Sequence, residues 1–119
     1  MSVAIEMSGD TMTAMLEGEI DHHTARPMRE LIDSSAERIR PRLLILDFGG
    51  VGFMDSSGIG LIMGRYKLMK ELGGAVSVDS MSPSIERMIK LAGLGRLGIG
   101  GLGDASRDAR KGGSRNAKK

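Results

Sequence analysis

Apolar and polar positions alternate at the start of the chain. Residues 3–7, Val3-Ala4-Ile5-Glu6-Met7, predict a strand, and Ser8-Gly9-Asp10 supplies turn chemistry. Over residues 11–17, Met12, Ala14 and Leu16 fall on one side and Thr11, Thr13, Met15 and Glu17 on the other. The two segments together predict a β-hairpin. Gly18-Glu19-Ile20 leads to Asp21, and there the period lengthens. A helix is predicted to start between Asp21 and Thr24 and to run to Ile39, with Met28, Leu31, Ile32, Ser35 and Ile39 on one stripe. Pro41 ends it. Residues 43–48 are apolar on both faces apart from Asp47, the pattern of a central parallel strand. Residues 49–55 predict a loop. A second helix over residues 56–72 follows, with Ile59, Ile62, Tyr66, Met69 and Leu72 on its stripe and Gly73-Gly74 as its stop. Residues 75–80 predict a strand with Val76 and Val78 inward. Ser82-Pro83 opens a third helix, with Pro83 at the first helical position, through Ile85, Met88 and Ile89 to Leu91. The glycine-rich residues 94–102 leave room for a short last strand. The order β-β-α-β-α-β-α-β predicts an α/β fold with a mixed, largely parallel sheet.

Size and composition narrow this further. A chain of 119 residues has room for one small domain, which excludes two-domain enzymes and large barrels. Hydrophobic residues make up 40% and charged residues 27%, the balance of a soluble globular domain. There is no cysteine, so disulfide frameworks, thiolate zinc sites and cysteine nucleophiles are excluded, and a reducing compartment fits. Residues 1–7 carry no basic signal-type region, and the longest strongly apolar run is Leu43-Leu44-Ile45-Leu46, far short of a membrane span. The expected location is the cytoplasm, with no membrane partner.

Charge changes the picture more. The net charge of +2 and pI of about 9.2 suggest nucleic acid as a partner. Mapping the charge removes most of that suggestion. Residues 104–119 hold Arg107, Arg110, Lys111, Arg115, Lys118 and Lys119 against Asp104 and Asp108, a net of +4. Residues 1–103 hold 11 basic and 13 acidic side chains, a net of −2. The domain is thus residues 1–103, and residues 104–119 form a basic tail. One or two helical turns capped by Asp104 fit its start, with disorder expected beyond. Aromatic residues are only 3%, which leaves few faces for stacking bases, so no direct nucleic-acid contact is expected.

The first candidate site is Phe53-Met54-Asp55-Ser56-Ser57-Gly58-Ile59-Gly60, which joins a central strand to a helix. Unpaired N–H groups at a helix start carry the positive end of the dipole, a natural place for an anion such as a phosphate on serine. The plain alternative is that Asp55, Ser56 and Ser57 only cap the helix. Gly58, Gly60 and Gly64 each cost about 1 kcal/mol relative to alanine in a helix. Close helix–sheet packing is one reason to carry them, and close approach of another protein is a second. The second candidate is Asp21-His22-His23-Thr24. If the strand before it runs parallel to residues 43–48, Asp21 and Asp55-Ser56 converge on one sheet edge, where ligands and partners of open α/β sheets collect. Here too, capping by Asp21 or Thr24 with exposed histidines is the plain reading. Neighbouring histidines make a poor metal pair, and the chain has only two, so no metal and no cofactor are expected. Gly93-Leu94-Gly95-Arg96-Leu97-Gly98 fits the spacing of a dinucleotide fingerprint, but it follows a helix rather than a strand. Its expected role is loop geometry. Met28, Met69 and Met88 fall on apolar stripes, whereas Met54 beside Asp55 is a candidate for an adaptable partner surface.

Several of these stretches together resemble the STAS-domain anti-sigma factor antagonists of the sporulation sigma-F type. The similar segments are residues 18–25 (Gly-Glu-Ile-Asp-His-His-Thr-Ala) and 53–60. Gly64-Arg65-Tyr66-Lys67, Leu72-Gly73-Gly74, Ser82-Pro83-Ser84-Ile85 and Leu91-Ala92-Gly93-Leu94 complete the set, so the likeness spans residues 1–97. The chain departs from the pattern after residue 103, where the family ends in an amphipathic helix and this sequence is polar. The resemblance implies a STAS-type mixed sheet of four to five strands with helices packed on it. It implies no catalysis by the chain itself. The implied partners are an ATP-dependent anti-sigma factor serine kinase, bound by the unphosphorylated form so that the sigma factor is freed, and a serine phosphatase. The implied phosphorylation site is Ser56, with Asp21, His22, His23, Thr24, Asp55, Ser57, Gly58 and Gly60 at the partner surface. A small nucleotide-binding protein, and a STAS module of another stress or sigma system, are the alternatives.

Overall fold

A computed structural model of the chain describes residues 3–102. Strands β1 (Val3–Ser8) and β2 (Thr11–Ile20) form the expected hairpin, turned at Gly9 with its φ of +59°. Helix α1 (His22–Ile39) crosses over to β3 (Leu43–Met54), which pairs parallel with β2. Helix α2 (Ser56–Glu71) crosses to β4 (Ala75–Asp79), parallel to β3, and α3 (Pro83–Leu91) follows. The sheet therefore runs β1-β2-β3-β4, antiparallel at the first pair and parallel at the other two. This is the mixed α/β sheet expected from the element order.

Alternation places the core. Met12, Ala14 and Leu16 of β2, Leu44, Leu46 and Phe48 of β3, and Val76 and Val78 of β4 are buried on one face. Met28, Ile32 and Ala36 of α1 and Leu61, Ile62 and Met69 of α2 are buried with them. Ile85 and Ile89 of α3 join Leu94, Ile99 and Leu102 to extend the core past β4.

Three expectations are corrected. Residues 49–54 are strand rather than loop, because β3 continues beside β2 with Glu17 opposite Gly50, Gly18 opposite Val51 and Ile20 opposite Met54. The register shifts twice along this stretch, and Gly50 permits the close approach: a Cβ there would lie 3.0 Å from the Leu16 carbonyl oxygen. The last strand reduces to a single parallel bridge from Gly100 to Ser77, preceded by a short 3-10 turn at Leu94–Leu97. Left-handed Gly93 and Gly98 bound that turn, so the glycine pattern there builds a bend. Finally, the buried stripe of α2 runs through Leu61, Ile62, Arg65 and Met69, leaving Ile59, Tyr66 and Leu72 half-buried. The basic segment 104–119 and the expected domain boundary lie outside the described residues.

Candidate functional site

The C-terminal ends of β2 and β3 carry the site. Ile20 and Met54 are register partners, and the Asp55 N–H donates to the Ile20 carbonyl at 3.0 Å. Asp21 and Asp55 thus leave the sheet side by side, each as the N-cap of the helix that follows. The convergence expected from parallel topology is present.

Both acids do cap. Asp21 Oδ1 accepts from the N–H groups of His23 and Thr24, each at 2.9 Å. Thr24 Oγ1 completes the capping box by accepting from the Asp21 N–H at 2.9 Å and also donates to the Glu19 carbonyl at 2.8 Å. Asp55 Oδ1 accepts from the Ser57 N–H at 2.8 Å. In each acid the second carboxylate oxygen makes no hydrogen bond among the described residues. Capping and partner contact are therefore compatible for Asp21 and Asp55. The Thr24 hydroxyl, by contrast, is fully engaged inside the chain. His22 and His23 are exposed, with ring centroids 4.0 Å apart.

The amides that hold Asp21, the Thr24 N–H first, keep its carboxyl below the usual carboxylate range even though solvent reaches it. A carboxyl whose pKa falls on folding stabilises the fold above its unfolded pKa, and loses that contribution as pH drops through the folded value. Asp21→Ala is expected to lower Tm at pH 7, and the gap to the wild type is expected to close as pH falls below the carboxylate range. Thermal unfolding at a series of pH values checks this.

Ser56 and Ser57 differ in their surroundings. Ser56 is exposed at the first position of α2, and its hydroxyl makes no hydrogen bond among the described residues. Ser57 is half-buried and lines a cavity between α1 and α2. Phe53, next to last in β3, is an exposed apolar ring, 52% accessible. Met54, which the sequence left open as partner surface, is instead buried at 4% exposure.

Met54 is held down by Gly58. A Cβ on Gly58 would collide with the Sδ and Cγ atoms of Met54, so this glycine serves helix–sheet packing and is itself buried. Its effect on a partner surface is indirect, a correction to its place among contact residues. A Cβ on Gly60 or Gly64 would meet nothing within 4 Å. Gly58→Ala is expected to cost about 1–2 kcal/mol through overpacking. Gly60→Ala is expected to stabilise the fold by up to about 1 kcal/mol through helix propensity. Chemical denaturation of the two variants separates the roles.

Sequence reasoning missed the seam between the helices. Arg65 is 5% exposed, with Nε 2.7 Å from Oδ1 of Asp33 and Nη2 donating to Oδ2 at 3.1 Å. Its Nη1 donates to the Leu61 carbonyl at 3.1 Å. Burial lowers the Arg65 pKa, and Asp33 offsets only part of that shift. The available signal was its place one turn after Leu61, where an apolar residue belongs.

Residues 2–109 match the STAS domain family. An anti-sigma F factor antagonist of Paenibacillus polymyxa is 35% identical over 99 residues, covering 82% of this chain and 85% of that protein. The chain belongs to the STAS-domain family of anti-sigma factor antagonists. The solved structure of the antagonist SpoIIAA in its unphosphorylated form superposes with a TM-score of 0.71 at 30% identity, covering 80% of this chain and 84% of that one. The phosphorylated form of Bacillus SpoIIAA gives a TM-score of 0.65 at 30% identity, covering 80% and 86%. Among the described residues of this antagonist, no helix is long and apolar enough to cross a membrane. The strand pairing, with Ile20 opposite Met54, brings Asp21, Asp55 and Ser56 to one edge of the sheet.

Proposed function

We propose that the unphosphorylated antagonist binds an anti-sigma factor that is also an ATP-dependent serine kinase, and so frees the sigma factor. Phosphorylation of Ser56 by that kinase switches binding off, and a serine phosphatase restores it. The chain acts in the cytoplasm as a binding module with no catalysis of its own. The observation that carries this reading is the Ser56 hydroxyl, exposed and unbonded at the first position of α2. The forms of SpoIIAA solved with and without phosphate support it by kinship.

The physical argument is local. Phosphate adds about −1.5 to −2 charges at pH 7. In the free protein the first N–H groups of α2 and the helix dipole stabilise it. At a close interface the same charge, set beside Asp55 and Asp21, is desolvated and repels a partner's acids. No rearrangement of the fold is needed, because the change acts on the contact surface itself. The exposed Phe53 ring and the open space over Gly60 are contact features offered by neighbouring stretches of the chain.

Mass mapping after incubation with an anti-sigma kinase and ATP tests the assignment. One phosphate on Ser56 is expected. Stoichiometric phosphate on Ser57 with Ser56 unmodified overturns it.

A further inference from the structure

The cavity between the N-terminal halves of α1 and α2 has a volume of about 440 Å³, and its lining includes His22, Arg26, Arg29, Ser57, Gly60 and Arg65. Three guanidinium groups line one opening, and the acids around them are unequally engaged. Asp33 is held by Arg65 through one hydrogen bond and one close ion-pair contact. Glu30 lies 3.4 Å from Arg26, but the two side chains are 61% and 74% exposed, and such contacts give way readily. Arg29 has no carboxylate within ion-pair distance among the described residues. Asp21 and Asp55, at the top of the two helices, each have one oxygen turned into a cap.

Burial lowers the Arg65 pKa, Asp33 offsets part of that, and the neighbouring Arg29 charge adds a smaller lowering. Like charges gathered without a full complement of acids favour an anionic occupant. This cluster stands in a region, residues 1–103, whose net charge is −2, so it is a local feature and no sample of a basic surface.

We propose that this cavity receives an acidic segment of the anti-sigma factor partner, with carboxylates seated on Arg29 and Arg26. The inference rests on the function proposed above. Guanidinium groups pair carboxylates through two parallel N–H donors, and the planar fork suits a side chain entering a cleft. Ser57 and Gly60 belong to both the cavity wall and the first turns of α2, so a protein that approaches Ser56 also covers the cavity mouth. The seat also explains why a phosphate on Ser56 is effective. It brings negative charge beside the cations that hold the partner's acids, and it repels those acids directly.

Binding of a purified anti-sigma factor kinase to the wild type, Arg29→Gln, Arg29→Glu and Arg87→Glu, at several salt concentrations, tests the proposal. Arg87 is exposed on α3 and controls for bulk charge. Arg29→Glu is expected to weaken binding about tenfold or more, and Arg29→Gln by less, each with a shallower salt dependence. Arg87→Glu is expected to bind as the wild type does. Equal binding by Arg29→Glu and wild type, or an equal loss in Arg87→Glu, overturns this inference and leaves the Ser56 switch standing. Absence of any wild-type binding overturns both.

Discussion

Ser56→Asp is expected to weaken binding to the anti-sigma factor kinase about thirtyfold, equivalent to about 2 kcal/mol of like-charge and desolvation cost at a close interface. Ser56→Ala is expected to bind as tightly as the unmodified protein while accepting no phosphate. The asymmetry follows from the site. The Ser56 hydroxyl bonds to nothing among the described residues, so its removal strands no partner. A carboxylate at the first position of α2 is stabilised by the helix start, so Ser56→Asp keeps its fold. Calorimetric titration of both variants, with unfolding curves as controls, provides the check. Wild-type affinity in Ser56→Asp would remove charge from the switch. The carboxylate carries less charge than phosphate, so the modified wild type is expected to bind more weakly than Ser56→Asp.

Asp33→Ala is expected to destabilise the domain by about 3 kcal/mol, because it leaves the buried Arg65 guanidinium without its counter-charge. For a domain of this size that corresponds to a fall of roughly 10–15 °C in Tm. The value sits at the lower end for a broken buried pair, since the Asp33 side chain is 29% exposed while that of Arg65 is only 5% exposed. The Leu61 carbonyl remains as a partner for Nη1, but it carries no full charge. The double variant Asp33→Leu with Arg65→Met is expected to recover most of the loss, because an apolar pair of similar volume suits a helix–helix seam. An unchanged Tm in Asp33→Ala would show that the pair adds nothing to the fold. The seam matters to function because Arg65 also forms one wall of the cavity beside Ser57.

What could be read from the chain was local. The hairpin, the three helices and their caps at Asp21, Asp55 and Ser82 follow from residue order, because capping and alternation act within a few positions. The meeting of Asp21 with Asp55 followed from topology alone, since parallel strands bring their C-terminal ends to one edge. The family segments then singled out Ser56.

Three things were decided only by the tertiary structure. The glycine-rich residues 49–54 read as loop, yet they become strand because β2 supplies hydrogen bonds that no local propensity encodes. Gly58 and Gly60 stand two residues apart and look alike in sequence, but one lies under Met54 and the other faces open space. The Arg65–Asp33 pair joins residues 32 positions apart. The chain thus set its elements by short-range chemistry, and the family resemblance pointed to the candidate serine. The basic cavity, the helix seam and the division of labour among the glycines came from contacts between distant segments, which exist only once the helices have packed on the sheet.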